Sequence, residues 1–267
     1  MSFFAIFASF FKHRYLIFSL AKREIASRYR GSTFGAVWSI INPLLLLGVY
    51  TFVFSSVFEA KWGQNVGSKS EFAMILFCGL IVFTMFSETI VRAPTLILNH
   101  ATYVKKVVFP LEVLIWVALL GSLFNLLTSF IVLLSFELVI NQHIQWTVIF
   151  FPIVILPLVL LTAGICWFLA SLGVFLRDIG QMIGILTTIL LFMSPIFYPS
   201  SSVPVKYQAI FKLNPVSFFI EEARNVVIWG NLPSWVPLAQ FTAVSLLFAW
   251  LGFAWFQKTR KGFADVL

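Results

Sequence analysis

Residues 22–58 read KREIASRYRGSTFGAVWSIINPLLLLGVYTFVFSSVF, and the change of character at Gly31 decides the fold class. Lys22, Arg23, Arg28 and Arg30 precede it, against the single acid Glu24. From Gly31 to Phe58 there follow twenty-eight residues without a charge, most of them apolar. A helix needs about 20 such residues to cross the hydrocarbon core of a bilayer, so the segment predicts a spanning helix. The basic residues in front predict which end stays in the cytosol, because Lys and Arg are held on that side. Residues 19–30 also read as a short amphipathic helix. Leu20, Ala21, Ile25, Ala26 and Tyr29 fall mostly on one side, and Arg23, Glu24, Ser27 and Arg28 on another. Such a helix lies in the membrane surface. The expectation is a rigid surface arm that turns at Gly31 and Ser32 into a membrane wall.

The composition extends this reading to the whole chain. Sixty per cent hydrophobic residues, 10% charged and a mean hydropathy of +0.98 exclude a soluble domain. A length of 267 residues holds about six spans with short loops and leaves no stretch for a soluble catalytic domain. The net charge of +8 sits in loops beside apolar spans, which argues for membrane orientation and anionic headgroups and against nucleic acid. The N-terminus lacks the short apolar run and small-residue cleavage site of a secretory signal. Cys78 and Cys166 each fall inside a predicted span and read as packing residues.

The spans are predicted at about 34–58, 72–91, 113–136, 146–176, 179–197 and 235–256. Pro152 and Pro157 predict a kink or a late start in the fourth, and Pro195 and Pro199 break the fifth. Six spans put both termini on one side. Of the 18 Lys and Arg, thirteen fall on that side and five on the other, which predicts cytosolic termini. The longest loop, about 198–234, then lies outside. In it Asn214 and Pro215 predict a helix start, with Asn as N-cap and Pro in the first position. Phe219, Ile220, Ala223 and Val227 recur at helical spacing, Glu221, Glu222 and Arg224 face elsewhere, and Gly230 ends the helix. Such a helix either tucks into the outer mouth of the membrane domain or only covers the ends of spans.

Motifs of catalysis do not survive inspection. Residues 63–70, GQNVGSKS, imitate a phosphate-binding loop, but a Walker A loop needs four residues between its glycines and a Lys directly after the second. Here three lie between, and Ser68 intervenes. His13, His100 and His143 fall in three separate places, and no HExxH, GxSxG or CxxC occurs. Glu88, near the end of the second span, reads as a partner of Arg92 one helical turn on, with a proton relay as the competing role. The 32 Phe, nine Trp and six Tyr serve mainly as lipid contacts and interface anchors. A minority of them suit an internal path, because flat rings stack on sugar faces without fixing a register.

Four segments together resemble the ABC-2 type permeases that export bacterial polysaccharides, the O-antigen, capsule and teichoic-acid group. They are KREIASRYRGSTFGAVWSIINPLLLLGVYTFVFS at the start, GVFLRDIGQ at 173–181, SPIFYPSSSVP at 194–204 and NPVSFFIEEARNVVIWG at 214–230. They occur in the family's order and cover nearly the whole chain. The resemblance implies an all-α polytopic membrane protein of one domain, 1–267. Its parts would be a cytosolic amphipathic segment (1–31), a six-span membrane unit with a short outer helix (34–257) and a cytosolic tail (258–267). It implies a homodimer in the bacterial inner membrane that rests on a separate ATP-binding cassette subunit. ATP and Mg would belong to that partner, with no cofactor in this chain and no enzymatic activity of its own. The implied substrate is a glycan on a polyprenyl-diphosphate carrier, and the implied surroundings are membrane lipids, not nucleic acid.

By the same resemblance, contact with the ATPase falls on 22–30 and 99–107, with Glu24, Tyr103, Lys105 and Lys106 as its candidate residues. Arg23, Arg28 and Arg30 form a basic rim for the carrier diphosphate. Phe218, Phe219 and Ile220 belong to an outer gate. Spacing adds a candidate conduit face on span one. Trp38, Asn42, Leu45, Val49, Phe52 and Ser56 fall on one side of a helix, while Ile40, Leu44, Leu47 and Val53 form an aliphatic side suited to lipid. Trp38, Asn42 and Phe52 are its main residues, although an interfacial anchor at Trp38 and a packing hydrogen bond at Asn42 fit equally. Export of a small molecule, a proton-coupled transporter and a membrane glycosyltransferase remain as alternatives.

Overall fold

The computed structural model describes residues 5–28, 30, 34–53, 69–104, 109–204, 206–208, 211 and 214–267. Among them all regular structure is helical and no strand forms. The main helices are α1 (Ala5–Lys12), α2 (Arg14–Arg28), α3 (Trp38–Tyr50), α4 (Lys69–Leu96), α5 (Val113–Asn141), α6 (Phe151–Phe175), α7 (Ile179–Phe192), α8 (Pro215–Val227) and α9 (Trp235–Thr259).

Four stretches are long and apolar enough to cross a membrane: Ser70–Leu96, Val113–Asn141, Trp146–Phe175 and Trp235–Val266. At ~1.5 Å per residue each exceeds the ~30 Å of a hydrocarbon core. They coincide with the expected second, third, fourth and sixth spans. The first and fifth correspond to shorter apolar helices, Trp38–Val53 and Ile179–Phe192. The expected end of the first span, 54–58, lies outside the described residues. The fifth stops at Phe192, five residues before the expected Phe197. Pro195 removes a backbone donor and disfavours helix at the residue before it, so the chain leaves the helix there. In the other direction, α5 runs past Glu137, the expected limit of span three, to Asn141. Gln142 then turns left-handed at φ 58°. The expected late start of span four is present: a 3₁₀ turn, Trp146–Phe150, precedes α6, and Pro152 sits in the first turn of the helix.

Two helices organise the packing. Over 72–83 helix α4 is apolar on every side and buried on every side, packed against α5, α6, α7 and α8. Helices α6 and α9 form the most intimate pair. A Cβ built on Gly252 would lie 2.0 Å from the Gly164 carbonyl oxygen, and one on Gly164 would lie 2.4 Å from that of Phe248. Small residues let the two backbones touch, as is usual between membrane helices.

Both termini meet at one end of the bundle. Arg260 Nη1, after α9, pairs with Glu112 Oε2 at 3.0 Å, and Ser9 of α1 donates to Glu112 Oε1 at 3.4 Å. At the opposite end, Asn214 caps α8 as expected, accepting the Val216 N–H at 3.1 Å. Gly230, at φ +68°, reverses the chain after the helix.

Two amphipathic readings need correction. On α2 the buried face carries Ile17, Leu20 and Ala21 and continues through Glu24 and Arg28, so these two charges point at the bundle rather than away from it. Tyr15 and Phe18 lie on the exposed side instead. On α8 the apolar residues are buried as expected, but Glu222 and Arg224 are buried too. This helix is part of the core, not a cover over span ends.

Candidate functional site

Three helices bring five polar side chains together towards the end that holds the termini. Glu24 and Arg28 come from α2, Glu88 and Arg92 from α4, and Asn125 from α5. Arg28 Nη1 pairs with Glu88 Oε1 at 2.6 Å, and Arg92 Nη2 donates to Glu24 Oε1. Arg28 also lies 3.5 Å from Glu24, and Arg92 3.9 Å from Glu88, each one turn away on its own helix. Asn125 Nδ2 completes the set by donating to Glu88 Oε2 at 2.9 Å. Two cations face two carboxylates, so the cluster is neutral as a whole, and its charged side chains are between 20% and 35% exposed. Gly121 on α5 makes room for it, since a Cβ there would stand 3.0 Å from Arg28 Nη2.

Beside the cluster lies a cavity of about 200 Å³ between α3, α4 and α5. Its polar and aromatic lining includes Trp38, Asn42, Tyr50, Thr84, Asn125 and Ser129. Asn125 belongs to both: one end of the residue meets the cavity, and its amide holds Glu88. A displacement of α2 therefore has a direct route to the cavity wall, through Arg28, Glu88 and Asn125.

The expected site residues are divided by this geometry. Trp38 and Asn42 line the cavity, whereas Phe52 is 64% exposed on the outside of the chain, with Leu45 and Val49. Leu47, placed by periodicity on the lipid side, is buried at 4%, because α3 turns Ser39, Pro43 and Leu47 inward. Of the expected basic rim, Arg23 and Arg30 are exposed, while Arg28 is engaged within the cluster. Glu24 is likewise turned inward and not outward. Tyr103 is stacked between His100 and Phe109, with centroids at 5.6 and 4.3 Å. Lys105 and Lys106 lie outside the described residues. Phe218 stacks on Phe241 of α9 at 4.2 Å, and Phe219 and Ile220 are fully buried.

Sequence reasoning missed Arg224. Its Nε donates to the Ile75 carbonyl at 2.8 Å, Nη2 to the Ile196 carbonyl at 3.1 Å, and Nη1 to the Pro195 carbonyl. One guanidinium thus satisfies the main-chain carbonyls of Pro195 and Ile196 where the chain breaks after α7, groups that burial would otherwise leave costly, and adds a second donor to the Ile75 carbonyl inside α4. Asn214 reinforces the junction by donating to Ser194 Oγ at 2.8 Å. The segments 194–204 and 214–230, nine residues apart in the sequence, are locked to each other here. An arginine inside an apolar helical pattern was the available signal.

Comparison with known proteins fits this architecture. The ABC-2 type transporter family profile matches residues 15–228. The chain is 29% identical over 257 residues to an O-antigen export system permease protein of Myxococcus xanthus, covering 96% of each. A protein of the same description from Klebsiella pneumoniae is 25% identical over 94% of this chain and 95% of its own. The polysialic acid transport protein of Escherichia coli is 26% identical over 91% and 92%. The match takes in α2 through α8, cluster and cavity included, and on that extent the chain belongs to the ABC-2 type transporter family.

Proposed function

We propose that this chain is the permease subunit of an ATP-driven exporter that moves a polyprenyl-diphosphate-linked polysaccharide, O-antigen first among them, outward across the bacterial inner membrane. The observation that carries the proposal is the end-to-end likeness to an O-antigen export system permease protein and to a polysialic acid transport protein. On this reading two copies of the chain form the conduit and a separate ATP-binding cassette subunit supplies the energy. The six-span topology comprises the four long helices and the two shorter ones, with both termini in the cytosol. The thirteen-to-five split of basic residues and the meeting of both termini at Glu112 support that orientation. Arg23 and Arg30 then lie at the cytosolic rim, where the carrier diphosphate arrives, and 99–107 faces the ATPase.

The test is genetic and chemical. Deleting the gene in the bacterium that encodes it should remove a polysaccharide from the cell surface while its lipid-linked form accumulates inside, and the intact gene should restore both. Normal surface polysaccharide, with loss of resistance to a small toxic compound, would instead make the chain a small-molecule permease.

A further inference from the structure

At the end of the bundle away from the termini, a cavity of about 580 Å³ opens between α8, the start of α9 and the connection that follows α7. That volume falls within the range of about 300–1,000 Å³ typical of small-molecule sites. Its lining is mixed in a particular way. Phe218 and Phe241, stacked at 4.2 Å and 12°, form an aromatic wall, and neither ring is fully buried. Around it stand Ser200, Gln208, Ser217 and Glu221. Gln208 donates one amide N–H to the Val203 carbonyl at 3.0 Å, which leaves its oxygen and its second N–H to offer. Glu221 is the only charged side chain among the described lining residues.

Ser217 supplies an independent pointer. The residue is 8% exposed and lines the cavity, while its hydroxyl is buried without a hydrogen-bond partner and closed off from the open space, so a ligand meets it only once χ1 turns it towards the cavity. Buried hydroxyls are nearly always bonded, and leaving one orphaned costs free energy that a bound partner would recover.

An acyl chain would leave Gln208 and Glu221 without polar partners, and a charged peptide would meet a single carboxylate. A sugar ring matches both features, because its C–H face lies against an aromatic ring while its hydroxyls meet serine, amide and carboxylate oxygens. We propose that this cavity is a saccharide-binding site at the outer end of the permease, and that it takes a neutral or amino sugar. The single carboxylate repels an acidic sugar and accepts hydrogen bonds from hydroxyl or ammonium groups. The proposal rests on the export reading, to which it adds a holding site for the emerging chain at the opposite end from the cluster.

Equilibrium binding to the purified full-length chain in lipid nanodiscs tests it, with no ATPase present. The probes are short oligosaccharides released by mild acid from the surface polysaccharide of the producing bacterium, with oligosialic acid as the acidic comparator. Saturable binding is expected, weakened about tenfold by Glu221→Ala and about fivefold by Gln208→Ala or Ser217→Ala, magnitudes typical of lost polar contacts. Ser135→Ala, exposed on α5 and away from this cavity, should bind as the wild type does. Oligosialic acid should bind at least about tenfold more weakly, the scale of one unfavourable charge contact. Circular dichroism and gel filtration of each variant separate lost binding from lost folding. If Glu221→Ala does not fold, the Gln208 variant and the acidic comparator decide. Absence of binding to the folded wild type, or binding indifferent to these substitutions, overturns the proposal. Either result leaves export untouched, because export is read from surface polysaccharide and not from this assay.

Discussion

Gly79 on α4 and Arg224 on α8 fill one volume from opposite sides: a Cβ on Gly79 would lie 2.5 Å from the guanidinium Nη2. Glycine is required there by the close approach, not by any turn. The consequence is that two substitutions a long way apart in sequence should fail in the same manner. Arg224→Met leaves the carbonyls of Pro195 and Ile196 without this donor, at about 1–3 kcal/mol for each that stays buried and unpaired, while the Ile75 carbonyl keeps its helical bond. Arg224→Lys keeps the charge but not the fork, and should fall between. Gly79→Ala should displace the guanidinium and lower thermal stability in detergent by a comparable amount. Because they break one contact, the Gly79→Ala, Arg224→Met pair should cost less than the sum of the two.

The cluster of Glu24, Arg28, Glu88 and Arg92 makes a different prediction, since its members are partly exposed. Each pair contributes only about 0.2–1 kcal/mol to stability after solvent screening. Glu88→Gln should therefore leave a folded, inserted protein with little change in melting temperature. Its effect should appear in export, because Asn125 loses its charged acceptor and α2 loses its link to α4. Arg28→Glu should abolish export by setting like charges face to face, and Arg28→Glu combined with Glu88→Arg should restore part of it. Surface polysaccharide in a complemented deletion strain is the measurement.

Between α6 and α9 the limiting quantity is backbone separation. A Cβ on Gly252 would lie 2.0 Å from a main-chain oxygen, which no rotation of a side chain relieves. Gly252→Ala should force the helices apart and reduce the yield of folded protein, and Gly252→Val should eliminate it. Substituting the exposed neighbour Leu251 by Val is the control. Recovery of monodisperse protein after gel filtration reads the difference.

The elements that long apolar runs define were legible from sequence, because a span of more than about 20 uncharged residues has few alternatives in a bilayer. The N-cap at Asn214 and the late start of α6 followed from Asn and Pro chemistry that acts within a few residues. What sequence periodicity did not reveal was the direction of single charges. On α2, a wheel that separates polar from apolar residues puts Glu24 and Arg28 outside. The structure turns them inward because their partners, Glu88, Arg92 and Asn125, stand on other helices. Arg224 is the extreme case, since the carbonyl it meets on α4 is 149 residues away. A related difficulty arises on α3, where Leu47 looked like a lipid contact and is buried. Burial there is decided by which side of the helix meets α4 and α5, and that side carries Ser39, Pro43 and Leu47 together, cutting across the division into a polar and an aliphatic face.

Orientation is open to a direct measurement. The charge split predicts that a cysteine at Ser201, in a background lacking Cys78 and Cys166, reacts with an impermeant thiol reagent added to intact spheroplasts. A cysteine at Ser27 should react only after the membrane is broken. Both serines are exposed on the chain, so burial does not mask either result. Labelling of the Ser27 position from outside would invert the topology and move the cluster to the outer face.

The cavity between α3, α4 and α5 carries the last prediction. Trp38 and Asn42 line it with Asn125, whereas Phe52, about three turns beyond Asn42 along α3 and its continuation, lies outside it. If sugars pass this wall, an aromatic surface is needed at 38 but no indole nitrogen, so Trp38→Ala should slow export while Trp38→Phe retains most of it. Asn42→Leu should also slow export, because it replaces the amide by an aliphatic group in a cavity already bounded by Leu46, Leu80 and Leu126. Insertion and the oligomeric state should be unchanged in all three, as cross-linking and gel filtration would show. Phe52→Ala then locates the path. Normal export by that variant confines the path to the cavity, whereas export reduced as far as in Trp38→Ala extends it along the exposed face of α3, which a second copy of the chain would have to enclose. Normal export by Trp38→Ala would mean that substrate does not touch this wall, and that Trp38 serves as an anchor at the membrane surface.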